Sequence, residues 1–248
     1  MGERRAALVT GAAAGIGRAI CERLAKDGWD VLAVDLRPDG SAPWQTLAAD
    51  LTTRAGNGAA VDAAQEAFGR IDAVVANAGF QHVSPVADFP EDRWDALQAI
   101  LLTSPFLLAK YAWSALAAAP EGGRFLAVAS AHGLVASPFK AGYVSAKHGV
   151  LGLVKTLALE GAEQGISATA LCPGYVRTAL VEAQIGAQAR AHGLSEEEVL
   201  EKVILAPQAV KRMIEPEEIA DTVAFLFSPA GRSFTGVPVT MDNGWTAR

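Results

Sequence analysis

Tyr143 and Lys147 stand four residues apart, so they share one face if Tyr143-Val144-Ser145-Ala146-Lys147 is helical. Tyrosine ordinarily titrates near pH ~10 and lysine near ~10.4, so neither is reactive at neutral pH unaided. An ammonium held beside a phenol favours the phenolate, which is expected to lower the tyrosine pKa toward the working range. Ser130, earlier in the chain, reaches the same point if a turn brings it back, and its hydroxyl suits a substrate oxygen. The set comprises a proton donor, a charge that tunes it and an oxygen anchor. A partly exposed helix face carries the same spacing, so the elements around it decide.

Those elements begin with a strand-like run, Ala6 to Thr10, opening into Gly11-Ala12-Ala13-Ala14-Gly15-Ile16-Gly17. A helical pattern follows through Ile20, Leu24 and Ala25, with Gly28 as its stop. Strand, glycine-rich turn and helix make a dinucleotide cradle, because glycines let backbone N–H groups approach a pyrophosphate at a helix N-terminus. Asp35 ends the second strand, Asp30–Asp35, where a carboxylate accepts from ribose hydroxyls and repels a 2′-phosphate. Arg37 stands nearby, but no basic residue lies inside the glycine turn, so NAD is expected rather than NADP. A short third strand, Leu47 to Leu51, sets Asp50 to approach the adenine amino group.

A helix is expected over about Arg54 to Phe68, then a strand from Ile71 to Ala76 running into Asn77-Ala78-Gly79. Pro90 opens a helix continuing through Trp94, Leu97, Leu101 and Leu108, with a kink expected at Pro105. Arg124 to Ala129 is a fifth strand delivering Ser130, and the Tyr143 helix continues to about Glu160. A sixth strand, Ile166 to Cys172, is broken by Pro173-Gly174. Residues 177–213 form a charged, helical insertion with Ser195 and Glu198 spaced as a capping box, where a substrate lid belongs. Pro216 starts a last helix and Val237 to Met241 makes the final strand. Residues 1–248 therefore read as one α/β domain, a seven-stranded parallel sheet with helices on both faces.

Composition narrows the partners. Of 248 residues, 51% are hydrophobic and 19% charged, as in a compact globule, and the net charge is −6 with no basic run. That argues against nucleic acid and anionic membranes. The N-terminus has no signal-peptide core and the sequence no obvious spanning segment, so neither export nor a membrane is expected. Cys21 and Cys172 fit neither a disulfide framework nor a zinc site, and the four histidines form no metal-ligating pair. A reducing cytoplasm and no metal are the expectation.

In order and spacing, Thr10 to Gly17, Asn77-Ala78-Gly79, Ser130, Tyr143 to Lys147 and Cys172-Pro173-Gly174 resemble the short-chain dehydrogenase/reductase superfamily over essentially the whole chain. The resemblance implies a Rossmann-type doubly wound fold, an NAD(P) cofactor and hydride transfer between alcohol and ketone. Tyr143 would be the acid/base, Lys147 would bind the nicotinamide ribose, and Ser130 would hold the carbonyl oxygen. Cofactor contacts are implied at Gly11, Gly15, Ile16, Gly17, Asp35, Asp50, Leu51, Asn77, Gly79, Tyr143, Lys147, Pro173 and Val176. A homotetramer built through two long helices and the C-terminal strand is the family's usual assembly.

Three further stretches, Gly79 to Val86, Ser130 to Lys140 and Leu180 to Ile185, are similar to the D-3-hydroxybutyrate dehydrogenase family. The resemblance implies that Gln81, His132, Lys140 and Gln184 surround a small carboxylate, with Tyr175 where that family usually has tryptophan. A four-carbon acid offers little apolar area, so charge-assisted bonds worth roughly 1.5–3 kcal/mol each must supply much of its affinity. On residue type alone, His132 is at home bonding within its own turn, Lys140 in solvent, and the two glutamines at a surface. The competing readings are a reductase of 3-oxoacyl thioesters or other keto acids, and an NAD-binding regulator without turnover. One departure stands out: Leu101 occupies the position of the superfamily's relay asparagine, and leucine cannot hydrogen-bond.

Overall fold

The computed structural model describes residues 4–179, 181, 182, 185, 186, 189 and 193–247. Its strands are β1 (Ala6–Thr10), β2 (Asp30–Asp35), β3 (Gln45–Ala48), β4 (Ala73–Ala76), β5 (Arg124–Val128), β6 (Ser167–Pro173) and β7 (Pro238–Met241). They form one sheet in the order β3-β2-β1-β4-β5-β6-β7, and every neighbouring pair is parallel. The central strands are short apolar runs buried along their whole length, as a sheet covered on both faces requires. The third strand lies earlier than its apolar letters suggest, at Gln45–Ala48, because its pairing with Leu32 to Asp35 fixes the register.

Helices α1 (Gly15–Lys26), α2 (Arg54–Phe68), α3 (Glu91–Gln98), α4 (Ser104–Ala117), α5 (Ala141–Gly161) and α6 (Pro216–Leu226) cover the two faces. Ile20 and Leu24 of α1 and Ile219 and Val223 of α6 bury Val9 and Val31 on one side. Val61, Leu108, Val150 and Val154 from α2, α4 and α5 bury Leu8, Val74 and Phe125 on the other. Adjacent residues of β1 thus feed opposite cores, the period of two that a strand imposes. Burial of each such leucine or isoleucine contributes roughly 1.5–3 kcal/mol.

The kink expected at Pro105 occurs one turn earlier. Ala99–Thr103 widens into a π-helical turn, and Pro105 takes a first-turn position of α4. Proline has no N–H and crowds the carbonyl four residues back, so the ladder loosens before it. The helical run Glu91–Ala117 is long and apolar enough to cross a bilayer by length and composition. Here, however, Leu97, Leu101, Leu107, Leu108 and Leu116 are buried in the protein. The capping box forms as expected, with Ser195 Oγ accepting from Glu198 N and a Glu198 carboxylate oxygen from Ser195 N.

Candidate active site

After β1 the chain builds β2 and β3 on one side, then returns to lay β4 against β1's other edge. At such a switch point the carboxyl ends of the strands diverge and leave a crevice. The gap between β1 and β4 is latched by two side chains. Thr10 Oγ1 donates to Val75 O (3.2 Å) and accepts from Asn77 N (3.0 Å), while Asn77 Nδ2 donates to Thr10 O (2.9 Å). Gly11 is left-handed (φ 64°), and a Cβ there would lie 2.7 Å from Ala78 Cα; one on Gly17 would lie 2.1 Å from Gly11 O. These glycines are set by backbone crowding between turn and latch.

A cleft of about 460 Å³ opens above the glycine turn. Gly11, Gly15, Ile16, Asp35, Asn77 and Gly79 line one part of it. Ser130, Tyr143, Lys147, Pro173 and Val176 line the other, joined by Leu101 and Phe80. Gly17 sits behind the turn, against Gly11 O. Leu51 is in the core, and the Asp50 carboxylate accepts from Thr52 N (2.9 Å) and Thr52 Oγ1 (2.7 Å), closing its own turn. Asp35 is held at the cleft's end by Ala13 N (3.1 Å) and Arg37 N (3.2 Å). The side-chain-free turn and this fixed carboxylate suit a nicotinamide dinucleotide.

β5 delivers Ser130, whose hydroxyl caps a single turn by accepting from His132 N (3.1 Å), and α5 carries Tyr143 and Lys147 on one face. Lys147, only 6% exposed, donates to Val128 O at 2.6 Å, and its Nζ lies 5.6 Å from the centre of the Tyr143 ring. Burial pushes the Lys147 pKa down to about 8. It pushes the Tyr143 phenol up from its ordinary value, against an opposing pull from the Ser130 hydroxyl. Burial thus sets the direction for the phenol, while the ammonium expected to lower it is engaged by the Val128 carbonyl. Leu101 packs its Cδ2 against Gly79, 2.5 Å from where a Cβ would stand.

Beside the phenol lies a second group of side chains. The His132 ring meets Tyr143 edge-on with centroids 6.0 Å apart, and Trp245 edge-on at 5.0 Å. Trp245 in turn stacks on Tyr175 at 5.4 Å with planes 3° from parallel. Lys140, 8% exposed, sits 5.8 Å from the centre of the Tyr175 ring, and among the described residues no carboxylate pairs with it. Burial lowers its pKa. His132 falls to about 4, chiefly through burial and then through Lys140, so it is neutral at physiological pH. It also bonds within its own turn, Nε2 to Ser137 Oγ at 2.9 Å. Gln81 is half-buried on the loop after β4, and Ser84 N donates to Phe139 O (2.9 Å), tying that loop to the one bearing Lys140. Gln184 lies outside the described residues.

Two contributors escaped the sequence reading. Trp245 is remote from every motif, and its only signal is a large aromatic beside an Asn-Gly turn. Arg18, one residue past the glycine turn, ion-pairs with Glu22 and Asp39 at the outer edge of the Asp35 end. Both cysteines are buried, with thiols pushed up to about 12 for Cys21 and about 11 for Cys172, so neither is a nucleophile at neutral pH.

Residues 11–246 match the family described as enoyl-(acyl carrier protein) reductase. The chain is 40% identical to a D-beta-hydroxybutyrate dehydrogenase of Rhizobium meliloti, covering 98% of this chain and 99% of that one. It is 38% identical to the enzyme of that name from Cupriavidus necator, over 98% of each. Among solved structures, the aldohexose dehydrogenase of Thermoplasma acidophilum superposes with a TM-score of 0.92 at 26% identity, covering 99% of this chain and 95% of that one.

Proposed function

Because the chain belongs to the short-chain dehydrogenase/reductase family of oxidoreductases, we propose that it interconverts (R)-3-hydroxybutyrate and acetoacetate with NAD. The observation that carries this reading is Lys140, a buried ammonium with no carboxylate partner among the described residues, beside the Tyr175 ring that stacks on Trp245. A buried cation lacking an anion is costly, and a substrate carboxylate relieves that cost on binding. Relatives named for D-beta-hydroxybutyrate support the size of the acid.

Ser130, Tyr143 and Lys147 are the catalytic residues of this account. Tyr143 holds its proton at neutral pH, so in ketone reduction Oη delivers it to the substrate oxygen as negative charge builds there. Ser130 Oγ steadies that oxygen. Neutral His132, Gln81 and Gln184 hydrogen-bond the carboxylate that Lys140 neutralises, while Tyr175 and Trp245 exclude water from the short carbon chain. When bound, the nicotinamide supplies or receives the hydride. Gly11, Gly15, Ile16, Gly17, Asn77, Gly79, Pro173 and Val176 hold the dinucleotide, with Asp50 and Leu51 toward its adenine end. Asp35 repels a 2′-phosphate, which favours NAD. Leu101, in the π-helical turn ahead of α4, offers the proton no side-chain relay, so the proton passes from Lys147, which lines the cleft, directly to water.

The substrate is thus a small carboxylate in a single domain spanning 1–248, with the insertion near 177–213 as its lid. Exposed Phe106, Tyr111 and Leu159 on α4 and α5, Phe225 on α6, and Phe234 and Val237 just before β7 support a homotetramer; a reducing cytoplasm stays the expectation from the sequence. Steady-state rates with acetoacetate and NADH test the activity. Turnover there supports the reading, whereas exclusive use of NADPH with 3-oxoacyl thioesters overturns it.

A further inference from the structure

Asn243 adopts a left-handed backbone (φ 55°), a conformation that glycine reaches most cheaply. What asparagine adds is a side chain, and both of its hydrogen bonds go to one segment. Nδ2 donates to Gln208 Oε1 (2.9 Å) and to Arg212 O (2.8 Å). The Asn243 carbonyl accepts from Ala209 N (2.8 Å) and Val210 N (3.0 Å), making four bonds to residues 208–212. Gln208 is fully buried, so its amide oxygen needs this partner.

Both rings of the aromatic stack hang on that same stretch of chain. Ile214 N donates to Tyr175 O at 2.9 Å, just past the residues that Asn243 grips. On the other side, Asp242 accepts from Gly244 N (3.0 Å), Thr246 N (2.7 Å) and Thr246 Oγ1 (2.6 Å), the residues flanking Trp245. Segment 208–214 therefore carries Tyr175 directly and Trp245 through Asn243 and the Asp242 turn. We propose that Asn243 is a positioning residue for substrate affinity: it rivets the C-terminal turn to residues 208–212 and so fixes the Trp245 ring over Tyr175 and His132. It touches neither substrate nor cofactor. The proposal rests on the small-carboxylate reading for its kinetic consequence, though not for its geometry.

Asn243→Gly is the informative variant, since glycine tolerates φ 55° and the backbone bonds can persist. Loss of two side-chain bonds is expected to raise KM for acetoacetate roughly tenfold. KM for NADH should hold, and kcat should change by no more than about threefold, as a loosened pocket wall implies. In a Trp245→Leu background the same substitution should add less than about twofold, because its target is gone. Equal effects in both backgrounds, or an equal rise in KM for NADH, overturn the proposal. A second readout needs no turnover: ¹⁹F NMR of 5-fluorotryptophan-labelled protein, with the Trp245 line assigned through Trp245→Phe. Asn243→Gly should move that line toward its solvent-exposed position, and an unmoved line overturns the proposal even if acetoacetate is not the substrate.

Discussion

Lys147 donates its ammonium to the carbonyl oxygen of Val128 at 2.6 Å, and burial holds its pKa near 8. A buried charge engaged by one carbonyl is poorly compensated for its lost hydration. Replacing it with an apolar chain of similar length should therefore spare the fold while removing the chemistry. Lys147→Met is expected to raise Tm by a few degrees or leave it unchanged, since about 1 kcal/mol corresponds to roughly 2–4 °C at this size. Turnover should fall by at least about a hundredfold. Calorimetry and initial rates on the same preparation check both.

Tyr143→Phe removes one oxygen from the site and nothing from the core. The expected loss is about 10²- to 10⁴-fold in kcat, the usual worth of a positioned acid or base. NAD affinity, measured by fluorescence titration, should stay within about threefold. Full turnover in the variant would instead remove Tyr143 from the proton transfer.

Lys140→Ala separates charge from shape. KM for acetoacetate should rise about 10- to 100-fold, the worth of a charge-assisted bond, while KM for an uncharged ketone of the same length changes little. Equal effects on the two substrates would remove Lys140 from the carboxylate subsite.

How far the sequence went is clearest at these residues. Tyr143, Lys147 and Ser130 were legible because helical spacing and a strand end determine where they go, and the structure brings them to one cleft. The charge state of the pair was not legible. Burial of Tyr143 and capture of Lys147 by Val128 depend on how α5 seats against β5, and no local pattern encodes that depth. Pro105 marked a disturbance correctly but misplaced it by a turn, because proline acts on the carbonyl before it. Trp245 was not legible as a residue of this site. Its partners Tyr175 and His132 lie 70 or more residues away in the chain, and only the parallel placement of β7 beside β6 brings them together. Asp50 also closes its own turn through one carboxylate oxygen, Oδ1, which accepts from Thr52 N and Oγ1, a local role that its place near a strand end did not show.

His132 makes stability depend on pH. Its folded pKa, about 4, lies below the ordinary 6.5, so the unfolded chain binds more protons as pH falls through that window. The neutral-histidine fold is fully favoured above about pH 6.5 and loses up to roughly 3 kcal/mol by pH 4 from this group. His132→Gln should flatten that part of the curve. Urea midpoints for both proteins between pH 4 and 7 measure it, and parallel curves would contradict the assignment.

The central claim is that Tyr143 serves one hand of a short hydroxy acid held by Lys140. NADH formation at 340 nm, from (R)- and (S)-3-hydroxybutyrate supplied separately with NAD, tests it most directly. The account predicts steady turnover of the (R) acid, with the (S) acid slower by a hundredfold or more, as ~3 kcal/mol of misplaced contacts would give. Inertness toward the (R) acid, or equal rates on both, would contradict it.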